Sequence, residues 1–159
     1  MSDGMNLPPF QPDLQFAFDG TADNPYLPHN YVSNTVVYTG THDNPTTREW
    51  HQELPPYQRQ NFWRYQNLDE RESGEAPWHS MQLAWSSRAA LAIAPLQDLL
   101  NLGSEARMNI PGRASGNWTW RCSEEMLSTP GFHSLLELTK SSNRIELRDS
   151  QAKEINEAA

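Results

Sequence analysis

Thr35-Val36-Val37-Tyr38-Thr39-Gly40-Thr41-His42-Asp43-Asn44 is the stretch on which the reading of this chain turns. Its first five residues are β-branched or aromatic, the side chains that suit a pleated strand, and Gly40 ends the run. Two other stretches also read as strands. Leu14-Gln15-Phe16-Ala17-Phe18 alternates with period two and stops at Asp19-Gly20. Leu91-Ala92-Ile93-Ala94-Pro95-Leu96 is a short apolar run, the pattern of a buried parallel strand.

Helical signals separate these strands. Thr46-Thr47-Arg48-Glu49 has capping-box spacing, with Thr46 placed to accept from the backbone N–H of Glu49. It predicts a helix to about Glu53. Pro55-Pro56 stops that helix, and Pro56 opens a second one to about Gln66. Asn67 to Gly74 is a charged connector, and a third helix is expected from Ala76 to about Ala89. Residues 101–121 read as a long loop, followed by a last helix from about Pro130 to Ser141. Strands separated by helices are the pattern of βα units on a parallel sheet, so the fold class is α/β. Residues 1–13, with Pro8, Pro9 and Pro12, form a polar lead-in, and residues 146–159 a polar tail. Residues 14–145 lie between as the folded part.

Composition narrows the function. The 159 residues carry 12 basic and 20 acidic side chains, a net charge of −8. Such a chain repels phosphates, which argues against nucleic acid as a partner. Its six tryptophans speak for an ordered chain despite 12 prolines. Cys122 is the one cysteine, so an internal disulfide is impossible. There is no apolar run of membrane-spanning length and no basic-then-apolar start. A soluble, cytoplasmic protein with no membrane partner is the expectation.

Chemistry is concentrated after the strands, where βα proteins carry their working residues. Asp43 could accept hydrogen bonds from sugar hydroxyls or stabilise a developing positive charge, with His42 donating to a hydroxyl. Equally, Asp43 or Asn44 could simply cap the next helix. Asp23-Asn24-Pro25-Tyr26-Leu27-Pro28-His29-Asn30 reads first as a rigid turn with an Asx hydrogen bond. No two histidines have ligand spacing, so no metal is expected. Trp118 and Trp120, in the long loop, could stack on sugars or pack in a core. Cys122 has no activating neighbours and reads as a structural thiol.

The stretches Leu14–Phe18, Asp23–Tyr31, Val36–Asn44, Met81–Asn109 and Pro111–Arg121 together resemble the 4-α-glucanotransferases, also called amylomaltases or disproportionating enzymes. The most specific pieces are Val37-Tyr38-Thr39-Gly40-Thr41-His42-Asp43-Asn44 and Ala84-Trp85-Ser86-Ser87 through Leu102-Gly103-Ser104-Glu105-Ala106-Arg107-Met108-Asn109. The resemblance runs from about residue 14 to about residue 144. It implies a (β/α)₈ TIM barrel that moves α-1,4-glucan segments between maltooligosaccharides by a retaining route without a cofactor. One carboxylate is the nucleophile, a second carboxyl group the acid/base, and a third carboxylate holds sugar hydroxyls in the reacting subsite. Asp43 matches the third, with His42 as its hydrogen-bonding neighbour. Asn109, Asn44 and Phe18 are implied at the substrate site.

The same resemblance places the nucleophile and the acid/base upstream of the first strand seen here, and neither has a matching position in this chain. The chain therefore reads as the C-terminal three βα units of the barrel, an incomplete barrel. Three parallel strands cannot close on themselves, and both edges stay open. The missing N-terminal part of the barrel is the expected partner. A non-catalytic glucan-binding module and a complementing half of a split enzyme are the alternatives. Two departures from the family pattern stand out. Eight residues, Asn6 to Asp13, separate Gly4-Met5 from Leu14, where the family has only a few. Pro45 follows Asn44, where the family often has Asp; proline suits a first helical turn.

Overall fold

The computed structural model describes residues 11–145. The lead-in up to residue 10 and the tail from residue 146 lie outside the described residues. Strand β1 (Val36–Tyr38) pairs in parallel with β2 (Leu91–Ile93), placing Val36 opposite Leu91 and Tyr38 opposite Ile93. On the other side of β1 a single parallel bridge joins Asp13 to Tyr38, whose N–H donates to the Pro12 carbonyl at 2.9 Å. The helices are α1 (Thr47–Glu53), α2 (Pro56–Tyr65), α3 (Ala76–Ser86), α4 (Leu96–Leu99) and α5 (Gly131–Ser141).

Three expectations are corrected. Leu14–Phe18 is not a strand: Leu14–Phe16 is a 3₁₀ turn. The Asp13 carboxylate accepts the Gln15 N–H at 2.9 Å, and its carbonyl accepts the Phe16 N–H at 3.1 Å. This side-chain cap turns the chain where alternation alone suggested extension. The Leu91 strand is parallel but not buried, with Leu91 58% and Ile93 41% exposed. It also ends at Ile93, because Pro95 stands at the cap of α4, a helix the apolar run concealed. Helix α3 stops at Ser86 rather than Ala89. There Ser87 turns extended, and its hydroxyl donates to the Ala84 carbonyl at 2.7 Å.

The capping and breaking signals read from sequence match the structure. Thr46 Oγ1 accepts the Glu49 N–H at 3.3 Å to start α1, and Pro56 opens α2. Asn67, Asn101 and Asn143 follow α2, α4 and α5 with φ of 56°, 55° and 53°. Asparagine tolerates this left-handed conformation at helix ends. The Asp23–Asn30 stretch is the rigid turn expected of it. Asn24 Oδ1 accepts the Tyr26 N–H at 2.8 Å, and Asn30 Nδ2 donates to the Ala22 and Asn24 carbonyls. His29 is occupied by the Tyr65 hydroxyl and the Ala22 carbonyl. Among the described residues no helix is long and apolar enough to cross a membrane.

The core packs α1 and α2 against the first turn and β1. Phe18, Trp50, Phe62 and Trp63 form edge-on aromatic pairs: Phe18 to Phe62 at 5.0 Å, Trp50 to Phe62 at 5.7 Å and Phe62 to Trp63 at 4.7 Å. Such tilted pairs are preferred over face-to-face stacking. His51, 1% exposed, is embedded among them. Its Nδ1 meets Ser73 Oγ at 2.9 Å, while Nε2 is buried without a partner.

Burial brings the His51 pKa down to about 4 from 6.5, so the fold holds a neutral ring where the unfolded chain would be protonated. Between those values the unfolded chain binds the extra proton, and stability through His51 falls as pH falls. Asp13 acts in the opposite sense. Burial raises it from 3.8 to about 6, so the fold binds the extra proton in that window and gains stability on acidification. Comparing variants separates the two. From pH 7 to 4.5 the His51→Gln chain is expected to lose about 2 kcal/mol less stability than the parent. Urea unfolding at both pH values measures this; equal losses would show that His51 is not held neutral.

Candidate functional site

The site stands at the C-terminal end of β1. Gly40 gives the Gln15 amide room to approach: a Cβ on it would lie 2.6 Å from Gln15 Nε2. That amide packs under the loop and donates to the Pro45 carbonyl at 3.0 Å. Asn44 Oδ1 accepts from the backbone N–H and the hydroxyl of Thr41, curling residues 41–44 into a tight turn. The next helix is capped by Thr46, and neither Asp43 nor Asn44 is needed for it.

Asp43 is thereby left projecting. Its Oδ1 accepts from Asn109 Nδ2 at 2.6 Å and lies 3.4 Å from His42 Nε2. Both His42 and Asp43 are about half exposed. The Asn109 N–H donates to the His42 carbonyl at 3.1 Å, so the second loop is stitched to the first by backbone as well as side chain. Trp118 leans on His42 with ring centroids 5.1 Å apart. It adopts φ of 59°, an uncommon conformation for a bulky residue, and its N–H donates to the Met108 carbonyl. A half-exposed carboxylate with two oriented polar neighbours can accept hydrogen bonds from hydroxyl groups or stabilise positive charge.

The ground under this cluster is a buried carboxylate. Asp98 of α4 accepts from the Thr39 hydroxyl at 2.5 Å, the Thr47 hydroxyl at 2.8 Å and the Thr47 N–H at 3.2 Å. It ties the end of β1, the start of α1 and α4 at one point. Burial pushes its carboxyl above the usual range, and the threonine hydrogen bonds pull it back.

Of the residues proposed from sequence, Asp43, His42 and Asn109 come together. Asn44 shapes the loop from within. Phe18 is not brought to this cluster. Its ring is buried between Trp50, Phe62 and Tyr65, because the first turn, unlike a strand, directs it into the core. Trp118 takes a place beside His42 that its residue type alone left open. Cys122 is a free thiol near the Ser123 carbonyl. Sequence reading missed the part played by Asp98, whose partners Thr39 and Thr47 lie far from it in the chain. Among the described residues no cluster of histidine, cysteine and acidic side chains could hold a metal ion.

Comparison with known proteins identifies the family. The family model described as 4-alpha-glucanotransferase matches residues 13–128. A 4-alpha-glucanotransferase of Thermus thermophilus is 53% identical over 113 residues, covering 68% of this chain and 23% of that protein. One from Clostridium butyricum is 40% identical over 134 residues, covering 84% of this chain and 27% of its own length. A solved amylomaltase from Streptococcus agalactiae, in complex with acarbose, superposes with a TM-score of 0.77 at 31% identity, over 86% of this chain and 27% of that one. The chain thus spans about a quarter of the length of these relatives. With the family model matched from residue 13 to residue 128, most of the chain, this chain belongs to the 4-alpha-glucanotransferase family.

Proposed function

We propose that these residues form one side of the active site of a 4-α-glucanotransferase, with Asp43 as its transition-state carboxylate. The observation that carries this is the Asp43–Asn109 hydrogen bond at the C-terminal end of β1, beside His42. In a retaining transfer the glucosyl unit passes through an oxocarbenium-like transition state. Asp43 would hold hydroxyls of that unit and face its positive charge, and His42 and Asn109 would orient the carboxylate and share the sugar hydroxyls. The substrate class is α-1,4-glucans and maltooligosaccharides; no cofactor takes part. The proposal includes a cytoplasmic location.

In this reading the three chain segments at Asp13, β1 and β2 are the last three βα units of the (β/α)₈ barrel. Their parallel alignment and the exposed Leu91 and Ile93 support it. The nucleophile and the acid/base come from the N-terminal part of the barrel, which is the partner of these residues. A second reading, glucan binding without turnover, draws on the half-exposed Trp118 ring beside His42.

A disproportionation assay tests the proposal. Maltotriose is supplied to the 159-residue chain, alone and mixed with a separately produced upstream portion of a family barrel. Released glucose and longer oligosaccharides are measured. No product from the chain alone and turnover on mixing is the expected result. Turnover by the chain alone would overturn the assignment of the nucleophile to the upstream part. Saturable maltoheptaose binding with no product in either arm would favour the second reading.

A further inference from the structure

The Asp43–Asn109 pair joins two loops whose residues lie 66 positions apart. A hydrogen bond between exposed side chains competes with water, and the Asn109 N–H to His42 carbonyl bond fixes the two backbones at one point only, so a further tie must set their angle. We propose that Arg107 is the positioning residue that registers Asp43 against Asn109. Its Nε donates to the Asn109 carbonyl at 3.1 Å and its Nη2 to the Asp43 carbonyl at 3.4 Å. The remaining arm of the fork, Nη1, lies 3.6 Å from Glu49 Oε1, and the two side chains are only 18% and 12% exposed.

The arrangement has a direction. Glu49 sits in the first turn of α1, a helix capped by Thr46 and pinned to β1 through Asp98. That rigid element holds the guanidinium, and the guanidinium holds two backbone carbonyls, one in each loop. The carboxylate and the amide are then left free to serve the sugar. The planar, three-way geometry is particular to arginine. A lysine ammonium keeps the charge but is a single point that cannot span both carbonyls and the carboxylate. Arg107 touches backbone atoms and Glu49, not the reacting groups, so it acts through Asp43 and Asn109.

The inference rests on Asp43 being the working carboxylate, but its test needs no substrate. The side-chain amide of Asn109 is observed by nitrogen-15 NMR in the full 159-residue chain and assigned by its loss in Asn109→Ser. In the parent one of its protons should be displaced downfield and exchange slowly with water. In Arg107→Lys both features should revert toward those of exposed asparagines, with exchange faster by about tenfold. The backbone amides of β1 and α1 should hold their positions. Glu49→Gln, which keeps the shape and removes the anchoring charge, should move the signal the same way and stands in if the lysine variant does not fold. An unchanged Asn109 signal in a folded variant, or no displaced signal in the parent, would overturn the proposal. Failure of the glucan assay with the signal intact would count against the catalytic reading alone.

Discussion

Replacing Asp43 by Asn is expected to lower glucan transfer by about a thousandfold in the enzyme assembled from this chain and the upstream barrel. The change is nearly isosteric and leaves an oxygen that can accept from Asn109. What it removes is the negative charge, which matters most when the glucosyl unit becomes positive. An interaction made chiefly in the transition state lowers kcat more than it raises KM. Asp43 is half exposed and caps nothing, so the fold should be unaffected to within about 0.5 kcal/mol. Initial rates of glucose release from maltotriose, with unfolding curves alongside, measure both. A loss of less than about tenfold would put the charge-stabilising role on another residue.

The largest effect on stability is expected at Asp98. Its carboxylate is the acceptor for two buried hydroxyls and one buried backbone N–H, from Thr39 and Thr47. Asp98→Ala leaves the Thr39 hydroxyl and the Thr47 N–H without partners in a site closed to water, and leaves the Thr47 hydroxyl only a long bond to the Thr39 carbonyl at 3.4 Å. At roughly 1–3 kcal/mol for each such group, partly relieved by rotation of the hydroxyls, the cost is about 3–5 kcal/mol. That is a large share of the roughly 5–15 kcal/mol that holds a domain together. Asp98→Asn keeps an acceptor for the Thr47 N–H and removes a charge that burial disfavours. It should cost about 1 kcal/mol. Urea midpoints of the two variants give the comparison. An alanine variant within about 1 kcal/mol of the parent would show that the threonine donors find other acceptors.

The two variants differ in how far the sequence foretold them. The loop that carries Asp43 was visible because its neighbours in sequence are informative, a β-branched run, a glycine and a polar cluster in immediate succession. Position alone left Asp43 open between a helix cap and a working carboxylate, and the family resemblance chose the second. Near neighbours also made the Thr46 cap, the Pro56 helix start and the Asn24 turn visible. Each depends on bonds between residues a few positions apart, and the side chains that make them are distinctive. Asp98 was invisible. Its partners Thr39 and Thr47 are 59 and 51 positions away, and nothing in Pro95-Leu96-Gln97-Asp98 tells a buried acceptor from an exposed helical acid.

Local pattern also misled where tertiary structure overruled it. Leu14–Phe18 alternates like a strand, yet the Asp13 cap curls it and sends Phe18 into the aromatic core instead of toward the Asp43 cluster. Local bonds between near neighbours, the caps, turns and helix starts, were enough to reveal the α/β class, and the strings Val37 to Asn44, Ala84 to Ser87 and Leu102 to Asn109 were enough to reveal the family. The resemblance named His42 and Asn109 beside Asp43, but the bonds that join these groups, and the residues beneath them, were decided by folding. Asn109 on Asp43, Arg107 on Glu49 and Asp98 on two threonines form only when β1, α1 and α4 pack together, since short-range periodicity carries no record of contacts made across fifty or more residues.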